Sequence, residues 1–380
     1  MLIDSQTPIM NNFFMPSEFY EHQATWMLWP ERTDVWRLGA KPAQKVFAEI
    51  ANTISKFENV IVGVNQSQYE NARNKLTQKI RVIEVSYDDA WIRDTGPTFL
   101  INNEGNLCGV DWHFNAWGGV GQFKDSNRWE LSGSYFPWKL DDLVARKILE
   151  IEGVDRFRCP LILEGGAFQT DGNGTLIATK ECILGRNNNR SQSQIEELLS
   201  QYLGIKKIIW LDRGLYLEEN NGHIDNMCCF VDSNTILINW CDDIHDPQFE
   251  ISSEAYEVLI SAKDLDGNNY NIVKIRQPPP LFITNEEQLD IDFSEYAIPR
   301  QSNYRLPASY INSYFCNGAV IIPSFSTTHK DQIGTYDADA RIIYEEMCKN
   351  RKVIQIPVRD LLIGGGGIHC VLQQIPKRKQ

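Results

Sequence analysis

The amino-acid sequence predicts an α/β fold made of repeated units, and three observations lead to this prediction. Short apolar or alternating runs typical of strands are separated by longer segments with helical periodicity. Most strand runs lead into a short polar cluster that is followed by a hairpin turn. The clusters recur at similar intervals, as expected for five units. Five units around one axis would form a single domain over residues 1–380, although an ordinary open α/β sheet also alternates strands and helices.

The first hundred residues show the alternation most clearly. Phe47, Ile50 and Ile54 share one face of a predicted helix, and Asn59 then turns the chain into an apolar strand. The predicted elements are a helix over 41–57, a strand over 60–64, a helix over 66–76 and a strand over 80–85. The last of these strands leads directly into a polar cluster at 88–97.

Later parts of the chain repeat this order of strand, polar cluster and hairpin. Strands are predicted over 156–163, 205–211, 308–315 and 353–358, and helices over 141–151, 193–203, 252–262 and 336–348. Hairpin turns are predicted at 102–106, 171–174, 232–234 and 317–318, where Asn, Asp and Gly are concentrated. The unit around 308–322 is the poorest copy.

Composition excludes several classes of protein. Hydrophobic residues make up 42% of the sequence, which is enough for a large core. A net charge of -13 argues against nucleic acid or an anionic membrane as partner. No apolar run approaches the ~18 residues of a membrane span. Nine cysteines without a C-x-x-C pair, and an N-terminus without a secretory signal, predict free thiols in a cytoplasmic protein.

Four consecutive glycines, Gly364 to Gly367, stand shortly before Cys370. Glycine gives up side-chain packing and allows close approach of the backbone, so this run is suited to presenting a reactive thiol beside a substrate. We expect Cys370 to lie on a strand over 370–372 that follows the glycines. The alternative is a flexible tail that ends in a buried, inert cysteine.

A cysteine nucleophile needs partners that favour its thiolate, and these are close in space rather than in sequence. The candidates lie in three polar clusters: 88–97 with Asp94, 164–166 with Glu164, and 221–226 with His223 and Asp225. If the units surround one axis, these clusters converge on Cys370; otherwise each cluster is an ordinary turn. Next to His223 and Asp225 no further metal ligand has suitable spacing, so no metal site is predicted.

The order of these motifs resembles the agmatine deiminases, which belong to the guanidine-modifying pentein superfamily. The matching segments cover nearly the whole chain: 15–19, 25–32, 91–97, 114–119, 163–166, 221–226 and 364–370. The resemblance implies a pentein five-bladed β/α propeller with pseudo-fivefold symmetry. Segment 213–216 is most similar to plant-type members. Two departures are Gly367, where the family usually has Asn, and a longer stretch over 122–133.

The chemistry of a guanidinium group accounts for the candidate residues. This group is planar, strongly basic and a poor electrophile, so an enzyme must hold it with carboxylates and supply a strong nucleophile. We expect Asp94 and Asp225 to hold the cation and Cys370 to attack it. His223 would transfer protons, and Glu164 would bind its other ring nitrogen and favour the protonated ring.

Two further residues are candidates for binding the rest of the substrate. The resemblance implies that Trp91 lies against the substrate, whereas its alternative role is core packing. Glu219 is the best candidate for the primary ammonium of agmatine, because that end requires a carboxylate rather than the arginine that an α-carboxylate would require. The alternative for Glu219 is a solvated loop acid.

We therefore predict a cofactor-free hydrolase that converts agmatine and water to N-carbamoylputrescine and ammonia, in putrescine biosynthesis. No nucleic-acid or membrane partner is expected, and a homodimer is compatible with the sequence. Two other functions stay open: deimination of arginine or peptidylarginine, and binding of agmatine or polyamines without turnover. Glu219 argues against the first, and the intact set of candidate catalytic residues argues against the second.

Overall fold

The computed structural model of the chain describes residues 2–3, 6–118, 134–326 and 332–378. The stretch 122–133 lies outside the described residues. The strands are β1 His22–Leu28, β2 Asn59–Val64, β3 Arg81–Glu84, β4 Thr98–Ile101, β5 Leu107–His113, β6 Asp155–Ile162, β7 Phe168–Thr170, β8 Thr175–Thr179, β9 Lys207–Leu211, β10 Cys228–Phe230, β11 Thr235–Trp240, β12 Asn271–Arg276, β13 Tyr314–Cys316, β14 Ala319–Ser324, β15 Lys352–Pro357 and β16 Gln373–Pro376.

The helices lie between these strands, close to where their periodicity predicts them. They are α1 Lys41–Ile54, α2 Tyr69–Lys75, α3 Ile92–Thr95, α4 Val144–Glu152, α5 Lys180–Arg186, α6 Gln192–Leu203, α7 Gln248–Ser261, α8 Asn285–Leu289, α9 Gln332–Met347 and α10 Arg359–Gly364. Among the described residues, no helix combines the length and the apolarity needed to cross a membrane.

The strands form five small sheets in the described ranges, and these sheets share one pattern. In β4-β5-β6 the first two strands are antiparallel and the third is parallel to the second. The sheets β7-β8-β9, β10-β11-β12 and β13-β14-β15 repeat this arrangement. In the remaining sheet, β16 is antiparallel to β1, and β1 is parallel to β2. The two ends of the chain therefore build one sheet together, and the five predicted units are confirmed.

A short turn precedes the first strand of each sheet, and the candidate catalytic residues lie in these turns. Asp94 lies in the short helix α3 before β4, and Glu164 occupies the N-cap position of a 3-10 turn before β7. A second 3-10 turn, before β10, has His223 at its N-cap position and contains Asp225. Cys370 lies in a third 3-10 turn, before β16. Because the sheets share one pattern, these turns occupy equivalent positions. Four separate parts of the sequence can thus reach one place.

Two local predictions of strand structure are wrong. Cys370 lies in the 3-10 turn His369–Val371, and β16 begins only at Gln373. Residues 308–313 form a buried loop, and β13 begins at Tyr314. Ser309 Oγ in this loop donates a hydrogen bond of 2.9 Å to the carbonyl oxygen of Asn226. Both segments are buried without pairing in a sheet.

An aromatic stack lies behind the glycine run. Trp36 is fully buried and stacks on Trp91, with ring centroids 4.9 Å apart. Phe47 of α1 contacts Trp36 edge-on at 5.6 Å. Gly364 packs directly against the Trp36 ring, where a Cβ atom would overlap it. The missing side chain lets the backbone before Cys370 approach the core closely.

A methyl group at Gly364 should destabilise the protein, because it would overlap the buried Trp36 ring. We predict that Gly364→Ala lowers the free energy of unfolding by about 1–3 kcal/mol, the range for an overpacked core. Gly185 in α5 is the control, since open space surrounds it and Ala is the better helix former there. Chemical denaturation should show Gly185→Ala to be no less stable than the parent, and equal losses in both variants would contradict the tight packing.

Candidate active site

Three of the central turns meet at Gly166. A Cβ atom at this position would lie 2.6 Å from His223 Nδ1 and 3.0 Å from both Asp94 Oδ1 and Asp225 Oδ2. The backbone N–H of Gly166 donates a hydrogen bond of 3.0 Å to Asp94 Oδ1. Any side chain at Gly166 would fill the space shared by the two carboxylates and the imidazole, so glycine is required by close approach.

The Cys370 thiol faces one of these carboxylates. Cys370 Sγ lies 3.5 Å from Asp225 Oδ2, to which it donates, and it accepts from Asn312 Nδ2 at 3.3 Å and from the Gly367 N–H at 3.4 Å. Burial raises the pKa of the Cys370 thiol well above its ordinary value, and Asp225 and Asp94 raise it further. A cation placed between the carboxylates would oppose both charges and favour the thiolate.

His223 lies between two carboxylates, Glu164 and Asp94. Its Nε2 is 3.4 Å from Glu164 Oε2, and its Nδ1 is 3.9 Å from Asp94 Oδ1. Burial opposes the charged ring, but Asp94, Cys182 and Glu164 hold the pKa of His223 well above its ordinary value. Nδ1 is buried and has no hydrogen-bond partner among the described residues. The protonated ring therefore has one N–H that is not already donated.

Arg186 fixes the charge and position of Glu164. The buried Arg186 side chain donates from Nε to Glu164 Oε1 at 2.9 Å. Burial alone would raise the pKa of Glu164, but Arg186 and His223 lower it to about 2. Glu164 is thus a permanent anion at neutral pH, and it can keep His223 protonated.

A chain of buried charged groups holds Asp225. His369 Nδ1 is 2.9 Å from Asp225 Oδ2, and His369 Nε2 is 2.9 Å from both carboxylate oxygens of Glu18. Arg93 Nη1 donates to Glu18 Oε1 at 3.2 Å. Burial and Arg93 would lower the pKa of His369, but Glu18 and Asp225 raise it above its ordinary value. A protonated His369 therefore bridges the two acids.

Two tryptophans line the pocket that reaches Cys370. Trp117 Nε1 donates a hydrogen bond of 2.8 Å to Asp94 Oδ2, and Trp91 Nε1 donates one of 2.8 Å to Asp89 Oδ2. The Trp91 ring also packs against Gly366, where a Cβ atom would lie 2.6 Å away. Trp91 therefore packs in the core with one part of its ring and lines the pocket with another part.

The same pocket contains Glu219, and this acid is already paired. Arg300 Nη1 and Nη2 donate to Glu219 Oε1 at 2.6 Å and Oε2 at 2.9 Å. The neighbouring Glu218 is buried, and its pKa is raised to about 8, first by burial and then by Asp225. The sequence analysis did not identify an arginine beside this carboxylate. Arg300 is 81 residues from Glu219 in sequence, in no recognised motif.

Together these groups form a site suited to a planar cation. Two buried carboxylates can accept N–H groups from opposite edges of a guanidinium. A thiol and a proton donor lie beside the same space, in position to form and to break bonds at its carbon. Comparison with known proteins agrees with this chemistry.

A profile of the Porphyromonas-type peptidyl-arginine deiminase family matches residues 14–376. The chain belongs to this family. The agmatine deiminase of Pseudomonas aeruginosa is 46% identical to it over 98% of each sequence. The structure of agmatine deiminase of Enterococcus faecalis superposes with a TM-score of 0.91 at 39% identity, covering 99% of each chain. A C. jejuni agmatine deiminase with substrate bound gives a TM-score of 0.78 at 25% identity, covering 97% of each chain.

These similarities confirm two predictions for this member of the Porphyromonas-type deiminase family. The resemblance to agmatine deiminases extends over the full length of the chain. The fold is the pentein five-bladed propeller, and its blades are the five sheets with a common strand pattern.

Sequence reasoning missed several polar residues that contact the site of this deiminase-family protein, among them Asn312 and His369. Asn312 comes from the poorest unit, and its Oδ1 accepts a hydrogen bond of 2.8 Å from the His369 N–H while its Nδ2 reaches Cys370. A side chain at Gly367 would overlap Asn312, so the glycine leaves room for this contact. His369 directly precedes Cys370 in the glycine motif, so its place in the sequence could have identified it as a site residue.

Spacing along the sequence did not reveal a group of three possible metal ligands that the fold brings together. The fold brings ligand atoms of Glu164, Cys182 and His223 within 4.8 Å of one another. Cys182 lies on α5, which contains none of the motifs found in the sequence analysis, and its Sγ is 3.9 Å from Glu164 Oε2.

Removing the charge of Glu164 should change the pH range in which His223 acts. A raised pKa keeps the ring protonated up to higher pH, so activity that needs the protonated ring is lost as pH rises through that pKa. We predict that Glu164→Gln lowers the pKa of His223 and moves the alkaline limb of the kcat profile to lower pH.

The matched control is Asp111→Asn, which alters another buried carboxylate that is paired with an arginine, Arg158. The alkaline limb of the kcat profile of Asp111→Asn should lie at the same pH as in the parent. If Glu164→Gln also left the limb unmoved, Glu164 would not be the group that sets the protonation of His223.

Proposed function

We propose that this protein is a hydrolase that converts agmatine and water to N-carbamoylputrescine and ammonia, as a step of putrescine biosynthesis. The observation that carries the proposal is the convergence of Asp94, Asp225 and His223 on Gly166, with the Cys370 thiol beside Asp225. This convergence occurs in a chain that is 46% identical to a named agmatine deiminase over nearly its full length.

The first half of the reaction forms a covalent intermediate. Asp94 and Asp225 accept N–H groups of the guanidinium, and its positive charge then favours the Cys370 thiolate, whose proton passes to solvent. The sulfur attacks the guanidinium carbon and gives a tetrahedral adduct. His223 donates its proton to one terminal nitrogen, the C–N bond breaks, and ammonia leaves. A thiouronium remains on Cys370.

The second half restores the enzyme. Neutral His223 takes a proton from a water molecule, which attacks the thiouronium carbon to form a second tetrahedral adduct. The C–S bond breaks with its electron pair going to sulfur, the hydroxyl proton of the adduct passes to that sulfur, and the neutral ureido product leaves the restored thiol. Asp94 and Asp225 keep their negative charges throughout, so the same groups hold both intermediates.

Glu219 is the proposed partner for the primary ammonium of agmatine. It lies in the pocket that contains Cys370, and its fork with Arg300 fixes the plane of its carboxylate. A carboxylate has about four acceptor positions, so an ammonium can bind beside the arginine. Arg300 is therefore a positioning residue for Glu219 in this proposal.

The other two functions have less support. The α-carboxylate of arginine would meet Glu219, while Arg300 is already engaged by both oxygens of that acid. A protein that only binds polyamines has no need of a thiol between Asp225, Asn312 and a backbone N–H. A single domain, a cytoplasmic location, a homodimer and the absence of nucleic-acid partners stay predictions from the sequence.

The substrate and the nucleophile can be tested together by ammonia release. We predict that the parent releases ammonia from agmatine far faster than from arginine or a blocked peptidylarginine, and that Cys370→Ser releases none. The hydroxyl of Ser has no comparable access to its anion at neutral pH. Cys316→Ser, which alters another buried free cysteine, should behave as the parent. Faster release from arginine would overturn the substrate, and an active Cys370→Ser would overturn the nucleophile.

The role of Glu219 can be separated from that of the guanidinium site with a substrate that lacks the primary ammonium. We predict that Glu219→Gln lowers kcat/KM for agmatine by about 10- to 150-fold, which corresponds to roughly 1.5–3 kcal/mol for a hydrogen bond to a charged group. Butylguanidine, which has the same chain without the ammonium, should lose much less. Equal losses for the two guanidines would mean that Glu219 only shapes the loop before His223.

A further inference from the structure

A second set of reactive groups lies on the side of His223 that faces Glu164. His223 Nε2 and Cys182 Sγ both approach the same oxygen, Glu164 Oε2, at 3.4 Å and 3.9 Å. One ligand atom of each residue lies within 4.8 Å of the other two, and all three side chains are fully buried. The proposed deimination uses Glu164 and His223 but gives no role to Cys182.

The spacing of these atoms fits a tetrahedral zinc ion. Zinc binds imidazole nitrogen and carboxylate oxygen at about 2.0–2.2 Å and thiolate sulfur at about 2.3 Å. Two ligands on a tetrahedron at those bond lengths are separated by roughly 3.3–3.7 Å. The observed separations of 3.4 Å and 3.9 Å are close to this range, and the third separation, between His223 and Cys182, is within 4.8 Å. Side-chain movements that bring the three atoms to these distances would complete three bonds.

The charge of the cluster also suits a divalent cation. The cluster contains the Glu164 anion, the Arg186 cation, a protonated His223 and a neutral Cys182 thiol. Zinc would bind the thiolate and the neutral imidazole, so one ion with two positive charges would replace two protons. The net charge of the buried cluster then stays the same, and Arg186 keeps its bond to the other oxygen, Glu164 Oε1.

We propose that Glu164, Cys182 and His223 form an inhibitory binding site for zinc or a similar thiophilic divalent cation. A metal on Nε2 turns the cationic imidazole into a neutral one, and the remaining N–H at Nδ1 is then a much weaker acid. His223 can no longer protonate the departing nitrogen. Asp94 lines the substrate pocket and lies 3.9 Å from Nδ1, so His223 lies between that carboxylate and the proposed site.

Binding can be measured without turnover in Cys370→Ser, which removes the thiol that lines the substrate pocket. Equilibrium dialysis should show one zinc ion per chain in this variant. Adding Cys182→Ser should weaken binding at least about tenfold, since even loss of an outer contact to a ligand typically costs 10- to 100-fold. Adding Cys159→Ser should change nothing; Cys159 is an equally buried cysteine of the same apolar cluster.

Two further measurements identify the ligand. Co²⁺ bound to Cys370→Ser should show a thiolate-to-cobalt absorption band, and its absence would overturn the proposal even if the double variant failed to fold. In chains with Cys370 intact, zinc should inhibit the parent and Cys159→Ser equally, and Cys182→Ser at least about tenfold less relative to its own metal-free activity. Unchanged zinc binding or inhibition in Cys182→Ser would place the metal elsewhere and refute the site. None of these binding measurements depends on which guanidine is the substrate.

Discussion

The candidate active site depends on two carboxylates, Asp94 and Asp225, that are buried in the same site as the Cys370 thiol. Buried charges are costly unless they are paired, and each acid here lies near a charged partner. Asp225 is held by His369, and Asp94 lies beside His223. In the proposed mechanism, a cation with several N–H groups binds between these two carboxylates. In that mechanism, the substrate charge that satisfies the acids also favours the thiolate of the adjacent Cys370.

The propeller makes this concentration of charge possible. Every blade starts with a turn near the centre, so four distant segments each contribute one or two groups without a long loop. The fifth turn, 309–313, contributes Asn312 to the thiol. The charged partners Arg93, Arg186 and His369 also lie in or near these turns, and they balance the acids inside the protein.

Much of this arrangement could be predicted from the sequence. Periodicity gave most helices, and recurring polar clusters gave the five units, because both features are local. The paired Arg300, the contact from Asn312 and the closeness of Cys182 to His223 were missed, since each depends on which turns meet in space. Cys370 was placed on a strand because an apolar run looks the same whether it is buried by pairing or by position near the axis.

The central claim is that substrate charge activates Cys370, and the ultraviolet absorbance of its thiolate tests it most directly. The signal is the difference between the parent and Cys370→Ser over a range of pH, read by rapid mixing before turnover, with and without an alkylguanidine. Our account predicts a thiol at neutral pH in the free protein and a thiolate once the guanidinium binds, because the cation offsets Asp225 and Asp94. A thiolate already present in the free protein, and unchanged by the guanidine, would contradict it.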